Sequence, residues 1–392
     1  MRSFTAAERR ARLARRHFLV PGVPVTIPAM TAAMLGWHAT DPATPYLSLW
    51  ARVPGFSIER LDREVYERRS LVKHLAMRRT LWLLPARQLP RFQPAASDRV
   101  AANERRRLIA DVERAGVADD GARWLATAAD AVRRHLHANG HASSAELRAA
   151  LPQLAGTYDP APGRRWGGET HLAPRVLTVL SVGGEIVRGP NDSTWTNSRP
   201  RWVNTHDWLG TPMVHDDERS ARVELVRAWL RAFGPATVAD VKWWFGTTVT
   251  AVRQALAALD AEAVDLDGAP GVVLPDDVEP EPEPEPWAAL LPGLDVTTMG
   301  WAQRDWYLGQ HRAQVFDGNG NAGPTAWWNG RVVGGWRQDA DARVRLQLLE
   351  DIGADGRNAL ARKADELTGW LGGIRISPRF PSPLSKASVE AD

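Results

Sequence analysis

Cysteine is absent from the 392-residue sequence, and this absence excludes several kinds of site. The chain has no disulfide, no thiolate nucleophile and no metal or iron–sulfur centre held by cysteine. It also lacks a run of about 18 apolar residues, the length that would span a bilayer. The N-terminal stretch 1–16 is rich in arginine, and Pro21, Pro24 and Pro28 interrupt the apolar residues behind it, which is not the pattern of a signal peptide. We therefore expect a cytoplasmic protein of two to four domains.

Lysine is scarce, with four residues among the 49 basic ones, so that 45 are arginine. Arginine binds phosphate through two parallel hydrogen bonds and reads guanine edges. The formal net charge is only +3, but segment 276–286 holds six acids and no base, which leaves the rest of the chain at +9. A basic body favours a nucleic-acid partner. A general bias towards arginine, with solvated helix faces, explains the composition equally well.

Glutamate and proline alternate through most of segment 276–286. Alternating prolines prevent a helix or a sheet, and the like charges keep such a segment extended. The sequence therefore predicts a linker at this point. We favour a plain spacer over an acidic competitor for a basic groove of the same chain.

A nine-residue pattern occurs twice, at residues 140–148 and 234–242. Both copies contain glycine, alanine, a hydroxyl residue, an acid, an aliphatic residue and a base in the same positions. Ser143 with Glu146, and Thr237 with Asp240, have the spacing of a helix capping box. An internal repeat of this kind indicates a repeated structural unit.

The flanks of the two copies repeat as well, and they predict winged helix-turn-helix units. A helical pattern precedes each copy, a second one follows it, and each ends in a short β pair. A divergent third unit fits the start of the chain, with helices over 5–18, 28–37, 43–52 and 58–69 and strands near 71–77 and 80–84. The prediction is an α+β fold with three tandem winged helices; a generic α-rich bundle is the alternative.

Beyond the linker the pattern changes towards strands. Residues 312–316 and 339–345 are expected to be strands, and 359–371 a helix. Asn329–Gly330 lies between two apolar runs and predicts a hairpin over 326–336. The expected domains are winged-helix units at 1–95, 96–212 and 213–275, the linker at 276–286, a small barrel-like β domain at 287–380 and a tail at 381–392.

Two patterns resemble ligand sites but lack the right context. The loop 318–323 matches the Gly-x-Gly-x-x-Gly dinucleotide fingerprint, but Pro324 and a tryptophan-rich strand follow it, where the fingerprint requires a helix. His135, His137 and His141 have no carboxylate placed to complete a metal set. We expect no metal and no cofactor.

The eighteen tryptophans are expected to be mainly core residues, because a buried indole contributes a large apolar area. Trp37, Trp195, Trp327 and Trp328 lie beside loop or hairpin patterns with arginine nearby. Such side chains are able to act as wedges or stacking platforms on nucleic acid. For each of them, packing remains the favoured explanation.

Residues 35–47 form the most informative segment. An apolar helix is expected to end at Gly36, and His38, Thr40 and Asp41 follow before Pro42 starts the next helix. Polar side chains at such a junction project from a rigid frame, as a reactive site requires. Taken alone, the segment is better explained by a helix cap at Thr40 or Asp41 and an ordinary surface histidine.

Three stretches resemble the winged-helix DNA glycosylases typified by AlkZ and YcaQ. They are residues 36–49 with His-Ala-Thr-Asp-Pro, residues 71–84 with Met-Arg-Arg-Thr-Leu, and residues 317–336 with Gly-Asn-Ala-Gly-Pro-Thr and the Asn-Gly hairpin. The resemblance implies tandem winged helices in a C-shape with a β-barrel. It also implies hydrolysis of the N-glycosidic bond of alkylated purines, including bulky adducts and crosslinks. The family's Gln-aliphatic-Gln or Gln-aliphatic-Asp motif falls on His38, Ala39 and Thr40, so neither glutamine is kept.

In this context, His38 and Thr40 are the expected catalytic residues. A neutral histidine is able to act as general base on the attacking water, and Thr40 is able to orient that water. Asp41 is expected either to hold the imidazole or to cap a helix. The expected DNA contacts are Trp37, Lys73, Arg78, Arg79, Asn319, Asn321, Trp327, Trp328, Asn329 and Arg331.

The resulting hypothesis is a monofunctional DNA glycosylase for alkylated or bulky-adduct purines, acting in repair or in self-resistance to a genotoxin. Its expected partner is double-stranded DNA carrying such lesions, with no membrane and no obligate protein partner, and the protein is expected at the nucleoid when bound. The alternative is a non-enzymatic winged-helix regulator, which would discriminate its site from random duplex by 10³ or more.

Overall fold

The chain folds into two compact units in the computed structural model, which describes residues 1–161, 163–164 and 167–386. Unit 1 comprises Met1–Leu61 and the chain from Arg222 onward, and unit 2 comprises Asp62–Ala221. The predicted boundary at 95/96 therefore falls inside unit 2, and the predicted linker falls inside unit 1. Residues 387–392 of the predicted tail lie outside the described residues.

The N-terminal part of unit 1 consists of short helices around one very short strand. They are α1 (Ala6–Arg16), α2 (Ile27–Ala33), β1 (Trp37–His38), α3 (Thr44–Trp50) and α4 (Ile58–Asp62). The last residue of α4 and the π-helical turn Arg63–Glu67 that continues it already belong to unit 2. The Thr5 and Thr26 side chains cap α1 and α2 by accepting backbone N–H groups. The predicted helices are confirmed, but the second ends at Ala33 because Leu35 and Gly36 adopt positive φ angles of 55° and 100°.

Unit 2 packs helices around a sheet. Its elements are β2 (Leu71–Leu75), β3 (Leu81–Pro85), α5 (Leu89–Phe92), α6 (Asp98–Arg114), α7 (Gly121–Asn139), α8 (Ser144–Ala150), β4 (Thr157–Tyr158), β5 (Thr170–His171), α9 (Ala173–Val182), β6 (Ile186–Asn191), β7 (Pro200–Asn204) and α10 (Thr205–Leu209). The strands run in the order β3-β2-β6-β7, and each neighbouring pair is antiparallel. The hairpin assigned by sequence to the first winged helix thus shares a sheet with the wing of the second.

The remainder of unit 1 carries the second copy of the repeat and an open sheet. Its elements are α11 (Glu218–Phe233, which begins in unit 2), α12 (Val238–Phe245), α13 (Val249–Ala258), β8 (Glu262–Leu266), β9 (Ala269–Val273), β10 (Ala288–Leu291), α14 (Asp305–Leu308), α15 (Arg312–Val315), β11 (Thr325–Trp328), β12 (Arg331–Gln338), β13 (Val344–Leu348), α16 (Gly353–Leu371) and α17 (Pro383–Lys386).

The two repeat copies have the predicted order of elements. Helices α7, α8 and α9 precede the β6–β7 pair, and α11, α12 and α13 precede the β8–β9 pair. Both capping boxes are present, at Ser143 with Glu146 and at Thr237 with Asp240. The mixed α/β class is confirmed, while the count of three winged helices stays a prediction.

Three predictions for the C-terminal region are wrong. The sheet β10-β11-β12-β13 is open rather than a closed barrel, because its outer strands β10 and β13 do not pair with each other. Residues 312–315 form helix α15, since five residues with alternating polarity are too few to distinguish a strand from a helical turn. The strand expected at 339–345 begins only at Val344, because the Asp339 carboxylate accepts the N–H groups of Asp341 and Arg343 and closes a turn.

The acidic segment 276–286 contains no helix or strand, as predicted, but it is not a free spacer. The Asp277 carboxylate binds Arg12 at 3.0 Å and Arg16 at 2.7 Å, and Arg15 binds Glu281 at 2.9 Å. All three arginines belong to α1. The segment therefore lies along the arginine-rich face of that helix within unit 1.

The packing explanation of the tryptophans is confirmed for those with essentially no exposed surface. These are Trp37, Trp82, Trp229, Trp244, Trp301 and Trp327. In unit 1, Trp229 stacks on Phe233 with ring centroids 5.3 Å apart, and Trp301 meets Phe233 edge to face at 5.3 Å. None of the described helices combines the length and apolarity needed to cross a membrane.

Candidate active site

The junction between α2 and α3 brings His38, Thr40 and Asp41 together. The chain leaves α2 through Leu35 and Gly36. The N–H of Gly36 donates to the Thr31 carbonyl at 2.8 Å. The φ of 100° at Gly36 lies in the region that favours glycine, so the sharp exit depends on this residue. We name residues 37–41 the junction.

His38 is buried, with 4% of its surface exposed. Its Nδ1 accepts the backbone N–H of Thr40 at 3.4 Å, an arrangement that suits a neutral imidazole with its proton on Nε2. The distance is long for a hydrogen bond, and the interaction is correspondingly weak. General-base action at Nδ1 requires the attacking water to replace this N–H, which is a specific condition that the sequence did not reveal.

Asp41 is a backbone anchor. Its Oδ1 accepts the N–H of Ala43 at 3.0 Å, and its Oδ2 accepts the N–H of Arg379 at 2.9 Å. Burial raises the pKa of the Asp41 carboxyl, and these two N–H groups oppose that rise. Both oxygens therefore accept backbone N–H groups and fix the turn before α3, which begins at Thr44 with Ala43 as its N-cap residue and no side-chain capping bond. The role of Asp41 towards the imidazole stays a prediction.

Trp37 does not fit the expected role in DNA contact. None of its surface is exposed, and its indole N–H donates to Thr31 Oγ1 at 2.8 Å. The Arg52 guanidinium lies over the ring, 5.0 Å from its centroid. A fully buried indole cannot stack on a base, so Trp37 supports the junction by packing.

A buried ion pair lies behind Trp37. Arg52 binds both carboxylate oxygens of Asp295, at 2.8 and 2.9 Å, and neither side chain has exposed surface. Ser48 Oγ donates to the same carboxylate at 2.6 Å. Burial alone would raise the pKa of Asp295, but the charge and hydrogen bonds of Arg52, together with Ser48, outweigh it and hold the pKa below its ordinary value.

His17 completes this network. Its Nδ1 lies 2.8 Å from Thr297 Oγ1 and its Nε2 lies 3.1 Å from the Ala232 carbonyl oxygen. Burial, with the nearby Arg52 charge, lowers the pKa of His17 to about 3. The residue is therefore neutral at physiological pH, and the network anchors α3 and the junction from behind.

The predicted DNA-probing hairpin has a tip that packs against its own unit. Asn329 Oδ1 accepts the N–H of Trp287 at 2.8 Å, and a Cβ added at Gly330 would lie 2.6 Å from Arg10 Cβ. Trp327 has no exposed surface, and so the stacking role expected for it is wrong. Trp328 is half-buried, and Arg331 binds Glu350 at 2.7 Å while half of its side chain stays exposed.

The glycine–asparagine loop leads into a strand, as predicted, and not into a helix. Asp317 Oδ1 accepts the N–H groups of Asn319 and Asn321, both at 2.8 Å, and Asn321 Nδ2 donates to Oδ2 at 2.9 Å. The Asn321 side chain is thus committed to the loop, whereas Asn319 is exposed. A Cβ at Gly323 would lie 2.2 Å from Ser382 Oγ, so this glycine permits close approach of the C-terminal segment.

The remaining predicted contacts lie in unit 2, near the β2–β3 hairpin. Arg78 and Arg79 occupy its tip with φ angles of 54° and 63°, and Lys73 Nζ lies 3.2 Å from Tyr66 Oη. Arg79 is 53% exposed and binds the buried Glu104 at 2.8 Å. A cavity of about 270 Å³ at this point is lined by Arg79, Glu104, Arg107, Ala110, Asp111, Arg114 and Arg175. We name Ala76–Thr80 the hairpin tip.

Sequence reasoning missed Arg52, Asp295 and Arg379. Asp295 and Arg379 come from distant parts of the chain, whereas Arg52 directly follows α3, and no local pattern marked any of the three. The sequence offers only an aspartate close to two threonines, at 295–298. No group of three or more potential ligands capable of holding a metal ion occurs in the part of the chain that the structure describes.

Comparisons with known proteins agree with this arrangement. The family model described as AlkZ-like DNA glycosylase matches residues 31–370. A protein of Streptomyces sahachiroi named interstrand DNA cross-link repair glycosylase is 29% identical over 171 residues, which are 41% of this chain and 45% of that protein. The chain thus spans less than half the length of that relative in the matched region.

A solved structure of Streptomyces sahachiroi DNA glycosylase AlkZ has the same fold. It superimposes with a TM-score of 0.72 at 20% sequence identity, over 95% of this chain and 98% of the other. The family model covers well over half of the present sequence and includes the junction, the hairpin tip and the open sheet. The chain belongs to the AlkZ-like DNA glycosylase family.

Proposed function

We propose that the chain is a monofunctional DNA glycosylase that hydrolyses the N-glycosidic bond of alkylated or bulky-adduct purines in duplex DNA. The observation that carries this proposal is the junction, in which Asp41 binds backbone N–H groups and Trp37 packs on Arg52 of the buried Arg52–Asp295 pair. The resemblance drawn from the sequence assigns the family's motif positions to His38 and Thr40 in this segment. The relative named as a cross-link repair glycosylase supports a bulky lesion as substrate.

The chemistry requires little from the protein at the departing base. Alkylation at N7 makes the purine a cationic leaving group, so protonation by a general acid is not needed. The protein must position a water at the sugar carbon and accept its proton. His38 would take that proton at Nδ1 after the Thr40 N–H is displaced, at a cost of about 1 kcal/mol for one weak hydrogen bond. The Thr40 hydroxyl would orient the water.

Release of abasic sites tests the activity directly. Purified protein is incubated with duplexes that each carry one defined lesion: an N7-alkylguanine, an N3-alkyladenine, a bulky N7 adduct or an interstrand crosslink. Alkali then cleaves any abasic site. We expect strand breaks at the lesion in at least one duplex and none in undamaged DNA. No breaks across the panel would contradict the proposed activity.

A second function is favoured by two observations. His38 is 4% exposed, and neither glutamine of the family motif is kept, as expected of a chain that retained the fold and lost catalysis. Such a protein would be a DNA-binding regulator. It would prefer one sequence by 10³ or more over random duplex, whereas the glycosylase would bind undamaged DNA weakly and with steep salt dependence. In either role we place the protein at the nucleoid when it is bound.

A further inference from the structure

The C-terminal segment that follows α16 is held against the open sheet on both sides of Arg379. Gln338 Nε2 donates to the Ile374 carbonyl at 2.9 Å, and Gln338 Oε1 accepts the Ile376 N–H at 2.7 Å. Further along, Ser382 is 1% exposed and packs against Gly323. The backbone at Arg379 is thus fixed by contacts within unit 1.

This segment places Arg379 at the junction. The Arg379 N–H donates to Asp41 Oδ2 at 2.9 Å, and its guanidinium Nη1 donates to the Thr40 carbonyl at 3.2 Å. The side chain is otherwise exposed. Among the described residues, no carboxylate oxygen lies within ion-pair distance of its guanidinium, although the Arg379 charge helps to lower the pKa of the nearby Asp41 carboxyl. The guanidinium also lies over the Phe380 ring, 6.0 Å from its centroid.

An arginine in this state is suited to one kind of ligand. A guanidinium has five N–H donors in a rigid fork that matches a phosphate, and the bond to Thr40 uses only one of its nitrogens. Most other arginines near the described sites are paired with an acid, as Arg52 is with Asp295 and Arg79 with Glu104. Arg379 therefore places a positive charge at the Thr40 carbonyl, with N–H donors left over for a phosphate.

We propose that Arg379 binds a DNA backbone phosphate beside the nucleotide that enters the junction. This inference rests on the proposed function for the nature of the nucleotide, but the phosphate contact itself requires only DNA. Arg379 lies beyond residues 31–370, the region that the family model matches. The contact to Thr40 would also transmit correct docking of the phosphate to the junction backbone.

The test compares the salt dependence of DNA binding by Arg379→Ala, Arg379→Lys and the wild type. The probe is a duplex containing a tetrahydrofuran abasic-site analogue, which cannot be hydrolysed. Loss of one phosphate contact should reduce the slope of log affinity against log salt by about 1 and weaken binding roughly 3- to 10-fold. Arg379→Lys should retain the slope, because lysine keeps the charge.

Arg375→Ala is the matched control. Arg375 is an exposed arginine of the same segment that donates to the Asp339 carbonyl at 3.1 Å and does not contact the junction. Arg375→Ala removes the same charge as Arg379→Ala, and the salt slope of its DNA binding should equal that of the wild type. Equal slopes for Arg379→Ala and the wild type, in folded proteins, would overturn the proposal.

The outcomes separate this inference from the proposed function. If the wild type cleaves lesion DNA and Arg379→Ala has the same salt slope as the wild type, the glycosylase activity is supported and the phosphate contact is contradicted. If the wild type cleaves no lesion, but Arg379→Ala has a smaller salt slope than the wild type, the proposed glycosylase activity is contradicted and the phosphate contact is supported. A wild type that does not bind duplex DNA contradicts both.

Discussion

The junction and the hairpin tip were both identified from sequence as functional, but they differ in physical character. At the junction His38 is buried, Asp41 is bound to backbone on both oxygens, and an ion pair without exposed surface lies behind Trp37. At the tip two consecutive arginines hold positive φ angles, and Arg79 is half exposed. The first arrangement is suited to fixing a reacting group, and the second presents charge to a ligand. Changes at the junction should therefore alter rate, and changes at the tip should alter affinity.

The largest effect should come from His38→Ala. If His38 accepts the proton of the attacking water, the single-turnover rate should fall by roughly 10²–10⁴, the usual contribution of a general base. Affinity for lesion DNA should change little, because phosphate contacts dominate binding. Single-turnover cleavage and a binding titration on the same duplex measure the two quantities separately.

Thr40→Ala serves as the control for that experiment. It removes an orienting hydroxyl and leaves the imidazole, so the rate should fall less than in His38→Ala. A folded His38→Ala protein that binds lesion DNA and cleaves it at the wild-type rate would remove His38 from the mechanism. The junction would then be a structural turn held by the backbone hydrogen bonds of Asp41.

A large effect on stability should follow from Asp295→Ala. The substitution leaves Arg52 buried without its counter-charge, which typically costs 3–5 kcal/mol. Urea unfolding measures the loss. Arg331→Ala is the matched control, because it removes a half-exposed ion pair with Glu350 and should cost at most about 1 kcal/mol. Equal midpoints for Asp295→Ala and the wild type would show that the ion pair does not anchor the junction.

Asp295 also shows where sequence reasoning stops. Local signals were read correctly: both capping boxes formed, the β2–β3 and β11–β12 hairpins formed, and Asp41 anchors the turn before α3. Arg52 and Asp295 are 243 residues apart, and Arg379 is 338 residues from Asp41. Pairings at such distances depend on the tertiary fold, and a local pattern contains no information about them.

The same limit explains the incorrect C-terminal predictions. A short alternating pattern at 312–316 fitted a strand, while neighbours in the fold decided for a helical turn. Asn329–Gly330 correctly predicted the β11–β12 hairpin. A turn pattern does not show whether the turn is exposed, and here Gly330 packs on Arg10. Similarly, the acids and prolines of segment 276–286 predicted an irregular backbone. They could not show that arginines of α1 bind this segment.

Acid should weaken both units, through the buried His17 in unit 1 and the buried His74 in unit 2. Burial lowers the pKa of His17, behind the junction, to about 3 and that of His74, on β2, to about 4. An unfolded histidine has a pKa near 6.5, so below that pH the unfolded state binds protons that the folded state does not. Stability present above pH 6.5 should therefore be lost as the pH falls towards 4, at up to about 1.4 kcal/mol per pH unit for each histidine.

Urea-unfolding midpoints at a series of pH values between 7 and 4.5 test this expectation. The informative quantity is the slope with pH, since replacing a buried histidine also changes the absolute stability. In His74→Gln, the slope of stability against pH should fall by the equivalent of about one proton taken up on unfolding, and the same is expected for His17→Gln. A variant with the wild-type slope would show that the histidine it lacks does not become protonated on unfolding in this range.

The smallest effect, and the sharpest check of the contrast, should come from Arg79→Ala. Its side chain is half exposed, and Glu104 keeps Arg175 and Arg107 nearby at 3.9 and 3.6 Å, so stability should change by less than about 1 kcal/mol. If Arg79 contacts a phosphate, affinity should fall roughly 3- to 10-fold and the salt slope by about 1, with the single-turnover rate at saturation unchanged. Arg362→Ala, an exposed arginine on α16, controls for net charge. A slower rate at saturation in Arg79→Ala would mean that the hairpin tip takes part in the reaction, and the division between a rate-setting junction and an affinity-setting tip would not hold.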